Sequence, residues 1–165
     1  MQISRRLVVA SLFLFCTARA VAAEELAPEE TVRRYLKAYQ EGNFKEAYPF
    51  VSKQLAQNKN EEDWAKEQQW IMQMAEVKIF EFHAYPGKIE GEKAYVPNVL
   101  NSQDKFLNQL GVVEHELYTL VREDGRWKIN QQQIVERSDL GKWFPPEVTG
   151  AAKGEPKGEA KQPVP

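Results

Sequence analysis

Chemistry in this chain must come from few residues. His83 and His115 are its histidines, and its one cysteine, Cys16, sits near the N terminus. His115 interrupts an otherwise apolar side of a predicted strand: Val113, Leu117, Thr119 and Val121 share that side. An imidazole there lines a pocket and titrates near neutrality, as a general base requires. Its plainer role is a hydrogen-bonded core or pocket-rim histidine without chemistry. His115 is therefore the single catalytic candidate, and no catalytic set is assigned. Two histidines without a companion carboxylate at ligand spacing make no metal site. The sequence has no G-x-S-x-G, no phosphate-cradling glycine loop and no H-E-x-x-H, so no cofactor is expected.

Carboxylates supply the other candidates. Glu81, Glu114 and Glu116 fall on predicted strands. Glu114 and Glu116 share a side with Tyr118 and Leu120, opposite the side that carries His115. The His115 side looks like the core side, so both glutamates are expected in solvent. Aromatic residues (Trp64, Trp70, Tyr35, Tyr39, Phe80, Phe82, Tyr95, Trp127) either wall an apolar cavity or form plain core. The ligand-pocket candidates are Tyr35, Tyr39, His83, Tyr85, His115 and Trp127.

These side chains need elements to position them. In residues 28–41, Val32, Tyr35, Leu36 and Tyr39 recur at i, i+3, i+4 and i+7, the stripe of an amphipathic helix. Pro28, Glu29 and Glu30 suit its first turn, and Gly42 suits its left-handed end. Asn43 with Glu46 predicts a capping box for a second helix, which Pro49 should kink or shorten. Asn60 starts a third helix whose face of Trp64, Gln68, Ile71, Met72 and Ala75, widened by Trp70 and Met74, should be well buried. Val77 to Tyr85 is rich in aromatic and β-branched residues and ends at Pro86-Gly87. Residues 88–99 read as a hairpin around Glu90-Gly91. Residues 98–111 read as a loop with one helical turn at 105–110. Val112 to Arg122 and Arg126 to Val135 are strands joined by the primed turn Asp124-Gly125. The segment 77–85 is apolar on both sides, and the cover expected for its outer face is a homodimer partner.

The ends carry other information. Arg5-Arg6, an apolar run of about ten residues and the small-residue stretch Ala18-Arg19-Ala20-Val21-Ala22 form an export signal, removed near Glu24. A spanning helix needs roughly 20 apolar residues, so no permanent membrane anchor is expected. Bulky Phe15 argues against lipidation of Cys16. Ser4-Arg5-Arg6-Leu7-Val8-Val9 also fits a twin-arginine signal, and both export routes stay open. Three domains follow: a cleaved signal at 1–23, a folded domain at 24–144 and a disordered, charged tail at 145–165. Loss of Arg5, Arg6 and Arg19 takes the net charge from −2 to −5, which disfavours nucleic acid. The expected compartment is the bacterial periplasm. With no cysteine left, the mature domain relies on packing alone.

Three helices before an antiparallel sheet make an α+β domain. The run Pro28-Glu29-Glu30-Thr31-Val32-Arg33-Arg34-Tyr35-Leu36-Lys37-Ala38-Tyr39, then Gly42-Asn43-Phe44-Lys45-Glu46-Ala47-Tyr48 and the hairpin Tyr118 to Ile129, resembles the nuclear transport factor 2-like superfamily. The likeness is closest to its secreted bacterial branch of unknown function and spans residues 27–136. It implies a cone-like fold: three N-terminal helices packed on a curved antiparallel sheet, often with a pocket at the wide end. Isomerases, dehydratases, cyclases and adaptors share that fold, so fold alone names no activity. The steroid-isomerase pattern of a strand aspartate base does not carry over, because Asp63, Asp104, Asp124 and Asp139 all lie outside strand centres. A dehydratase-like scheme would pair His115 with Tyr35, Tyr39 or Tyr85. The resulting expectation is a non-catalytic exported domain. It binds a small apolar ligand or a protein partner in the cone or on the outer sheet face. The alternatives are a small dehydratase, isomerase or cyclase using a pocket His or Glu, and an envelope-complex adaptor.

Overall fold

Helix α1 (Pro28–Gln40) forms as its stripe dictates: Val32, Tyr35 and Leu36 are buried, while Arg33, Arg34 and Lys37 face water in i,i+3 and i,i+4 ion pairs with Glu30 and Glu41. The computed structural model describes residues 25–106 and 111–149. Gly42 takes φ +73 and ends the helix, and the Asn43 N–H closes it on the Ala38 carbonyl at 2.8 Å. That bond holds Asn43 outside cap geometry, so the expected capping box does not form; its side chain turns to Glu41 instead. Helix α2 (Phe44–Ala47) is short and passes into a 3₁₀ turn at Tyr48–Phe50, where Pro49 breaks it.

Helix α3 (Glu61–Ala75) starts at Asn60, whose side chain accepts the Asp63 N–H at 2.9 Å. It is less buried than its apolar face implies. Trp64 packs edge-on against Tyr39 and is tilted against Tyr48, but Trp70 is 60% exposed and Ile71 and Met74 are also open. In its second half Met72 still packs on the main core, while Trp70, Ile71 and Met74 do not.

The described residues hold one five-stranded antiparallel sheet. Its strands are β1 (Lys78–Ala84), β2 (Lys88–Glu90), β3 (Lys93–Gln103), β4 (Val112–Glu123) and β5 (Arg126–Ile134), in the order β1-β3-β4-β5 with β2 also on β3. Bulges between Ile79 and Glu81 and between Thr119 and Leu120 bend it. Residues 98–103, expected as loop, extend β3. Their polar Asn98 and Ser102 are buried, and Asn98 is paired by a neighbouring strand, a context that polarity alone does not reveal. The expected helical turn at 105–110 falls largely outside the described residues. The β4–β5 turn is as expected, with Asp124 at φ +51 and Gly125 at φ +73. Gly125→Ala forces a Cβ into that left-handed conformation and should cost about 1 kcal/mol, read as a lowered thermal midpoint.

The faces of β4 are the reverse of the sequence expectation. Glu116, Tyr118 and Leu120 point to the helices and are buried. Tyr118 and Leu120 belong to the main core with Val32, Tyr35, Leu36, Val96 and Ile129, and Glu116 is buried beside Tyr118. His115, Leu117 and Thr119 lie on the outer face. That face is apolar because the chain covers it itself: after a 3₁₀ turn at Arg137–Asp139, helices α4 (Leu140–Trp143) and α5 (Pro146–Thr149) lie over it. Phe144, Leu117 and Val135 form a second cluster there, with Tyr85, Tyr95, Trp143 and Val148 packed on it. Val148 thus packs within the segment read as the start of the tail; residues 150–165, like the signal, lie outside the described residues.

Candidate functional site

The concave face carries a buried polar cluster built from three adjacent strands. Asn98 on β3 stands opposite Glu116 on β4, and Gln132 on β5 stands opposite Tyr118. The Glu116 carboxylate accepts three hydrogen bonds. Asn98 Nδ2 donates at 2.8 Å and Tyr118 Oη at 3.1 Å, both to Oε2, and Gln132 Nε2 donates at 2.6 Å to Oε1. Glu116 is 1% exposed, whereas Gln132 reaches solvent. Burial pushes the carboxyl above the ordinary glutamate range, and the three donors only partly oppose it.

Tyrosines extend the cluster toward the helices. Tyr35 stands edge-on to Tyr118 with ring centroids 6.2 Å apart, and Tyr39 is 4.6 Å from Tyr35. The Tyr39 hydroxyl donates to Gln68 Oε1 at 2.8 Å. Burial pushes the Tyr35 hydroxyl up to about 12 and raises Tyr39 and Tyr118 as well, so all three stay neutral donors. One buried acceptor has no partner among the described residues: Asn98 Oδ1. A buried unpaired carbonyl is costly, and such a group needs an explanation.

The six sequence candidates divide into three places. Tyr35 and Tyr39 join the concave cluster. His83, Tyr85 and His115 lie together on the opposite face. His83 is 4.5 Å from Tyr85, and Tyr85 and His115 both stand edge-on to Phe144 at 5.8 and 5.1 Å. His115 therefore does not line the concave face or meet Tyr35 and Tyr39, because β4 presents odd-numbered residues outward. Trp127 lies at the hairpin end, buried, with the Arg122 guanidinium 4.6 Å from its ring centre. It lines a 490 Å³ groove with Thr31, Arg34, Phe50 and Arg126. A wider open groove of 660 Å³ runs beside α1 over Phe50 and Phe82, but its Arg33, Arg34 and Lys37 are already paired with acids. Neither groove includes Glu116 or Asn98. Sequence reasoning weighed Glu116 but placed it in solvent, and it missed Tyr118, Asn98 and Gln132 as its partners. The available signal was the apolar company of Glu116 at i+2 and i+4.

No protein-family model matches this sequence, and no curated protein matches it significantly. Solved structures are similar in fold. A SEC-C motif containing protein of Rhodopseudomonas palustris superposes with a TM-score of 0.53 at 14% identity, covering 67% of this chain and 80% of that one. A ketosteroid isomerase-like protein of Shewanella frigidimarina gives 0.46 at 17% identity, with 64% and 91% covered. A polyketide cyclase-like protein of Pseudomonas putida gives 0.44 at 12%, with 67% and 92% covered. At these identities the likeness concerns the fold alone. The α+β architecture itself is shown by the helices and the five-stranded antiparallel sheet of this chain.

Chemically, the cluster offers one carboxyl, three neutral phenols and two amides. Among the described residues no group of three His, Cys, Asp or Glu side chains is placed to hold a metal ion.

Proposed function

We propose that this chain is an exported, non-catalytic binding domain whose ligand engages the concave cluster. The observation that carries this reading is the unpaired Asn98 Oδ1 beside the Glu116 carboxyl. An acceptor built into a core and left without a donor fits a ligand N–H or O–H that completes it. The spent state of Glu116 supports binding over turnover: its oxygens already hold three donors, and the histidines lie on the other face. An apolar ligand with one donor group matches the neighbouring Tyr35 and Tyr118 rings. Export rests on the N-terminal pattern of Arg5-Arg6, the apolar run and Ala18-Arg19-Ala20.

Native mass spectrometry of protein purified from its own compartment tests both parts. The expected mass starts near Glu24 and carries a small-molecule adduct that Asn98→Ala loses. Protein that emerges uncleaved, or clean at every concentration, contradicts the reading.

A second reading, a small isomerase-, dehydratase- or cyclase-type enzyme, is favoured by one contact. The Tyr118 hydroxyl on Glu116 is an arrangement in which a carboxyl of raised proton affinity moves a proton while a phenol steadies the charge. It requires turnover that Glu116→Gln abolishes while the fold persists.

A further inference from the structure

The two edges of the sheet are treated differently by the sequence. The edge formed by β1 and β2 carries Lys78, Glu81, Lys88 and Glu90, with Pro86 between the strands. Charge and proline of this kind keep an edge from pairing with another chain. Beyond Lys128 the β5 edge lacks them. From Ile129 to Val135 the residues are Ile, Asn, three Gln, Ile and Val, without charge or proline. Its first part is covered, since Val51 bridges Ile129 and the Ser52 N–H donates to the Ile129 carbonyl at 2.8 Å. Beyond Asn130 no described residue covers it.

The direction of the free groups follows from one bond. The Val135 N–H donates to the His115 carbonyl of β4 at 2.7 Å. Backbone groups alternate along an antiparallel strand. The N–H and C=O of Gln132 and Ile134 therefore point away from β4, out of the sheet. Ile134 is also 55% exposed, a large apolar side chain beside these unpaired groups.

We propose that Gln132–Ile134 of β5 is a dimerisation edge that pairs antiparallel with the same strand of a second copy. The stretch is self-complementary. A two-fold axis through Gln133 sets Gln132 opposite the other copy's Ile134 and Ile134 opposite its Gln132. That register joins all four outward groups of each strand in four new backbone hydrogen bonds. It also lays the exposed Ile134 side chain against the neighbouring glutamine stem. The flanking positions bring Gln131 opposite Val135 and Asn130 opposite Glu136, so no like charges meet. The two sheets become one continuous sheet, which removes both open edges.

Ile134→Pro tests this directly. The Ile134 N–H points outward, so proline deletes an edge donor while the β4–β5 ladder keeps its bonds. Sedimentation equilibrium of the protein purified from its own compartment should give twice the chain mass. Ile134→Pro, with an unchanged circular dichroism spectrum, should weaken dimerisation tenfold or more. If the proline variant does not fold, Ile134→Lys sets a charge at the joint and should weaken it likewise. A wild-type chain that stays monomeric overturns the proposal, as does a dimer that the folded variant leaves intact. A single copy carrying a bound peptide, lost in the variant, also overturns it.

Discussion

Glu116→Ala should lower the unfolding free energy by about 3 kcal/mol, because it strands the Asn98 amide and the Tyr118 hydroxyl inside the core without an acceptor. Glu116→Gln should behave oppositely. Its carbonyl takes the place of Oε2 and still accepts from Asn98 and Tyr118. Its amide then faces the exposed Gln132 side chain, which turns to present its own carbonyl. The difference depends on pH in a defined direction. The folded state holds the Glu116 proton more tightly than the unfolded chain does. The stability this contributes is fully present below the ordinary glutamate range and is lost as pH rises through the raised folded value. Glu116→Gln removes that loss. Urea unfolding across a pH series should therefore show the glutamine variant near wild type in acid and more stable than wild type toward neutrality. A solvated Glu116 would give two superimposable profiles.

Trp127→Ala should cost about 4 kcal/mol, within the range for deleting a buried indole. Trp127 is 4% exposed, packs in the main core and lies under the Arg122 guanidinium. The side chain also touches the groove at the hairpin end, so a ligand-wall role and a core role predict different things. A core role shifts the thermal midpoint of the free protein by a large amount. A wall role leaves that midpoint near wild type and changes only ligand capture.

The elements legible in the sequence were those set by local rules. The α1 stripe, the Asn60 cap, the Pro49 break and the Asp124-Gly125 turn depend on neighbours within a few residues, and each forms. Tyr35 and Tyr39 were legible as inward residues for the same reason. What failed depended on distant partners. The His115 side of β4 is the more apolar one, while the other side carries Glu114, Glu116 and Arg122, so alternation pointed the wrong side at the helices. The deciding fact is that residues 140–148, weakly patterned and close to a charged tail, fold back over the outer face. With that cover in place, His115 moves outside and Glu116 moves inside. Residues 98–103 looked like loop because Asn98 and Ser102 are polar, yet Asn98 finds its partner 18 residues away on β4. The apolar half of α3 shows the converse, since Trp70 and Met74 match a buried pattern and face outward.

The inward placement of Glu116 underlies the reversed faces of β4, the polar cluster and the binding proposal together. A carbon-13 nuclear magnetic resonance titration of its side-chain carboxyl measures that placement most directly. A midpoint above the ordinary glutamate range is expected. A midpoint at or below that range, moving freely with added salt, would put Glu116 in water and contradict it.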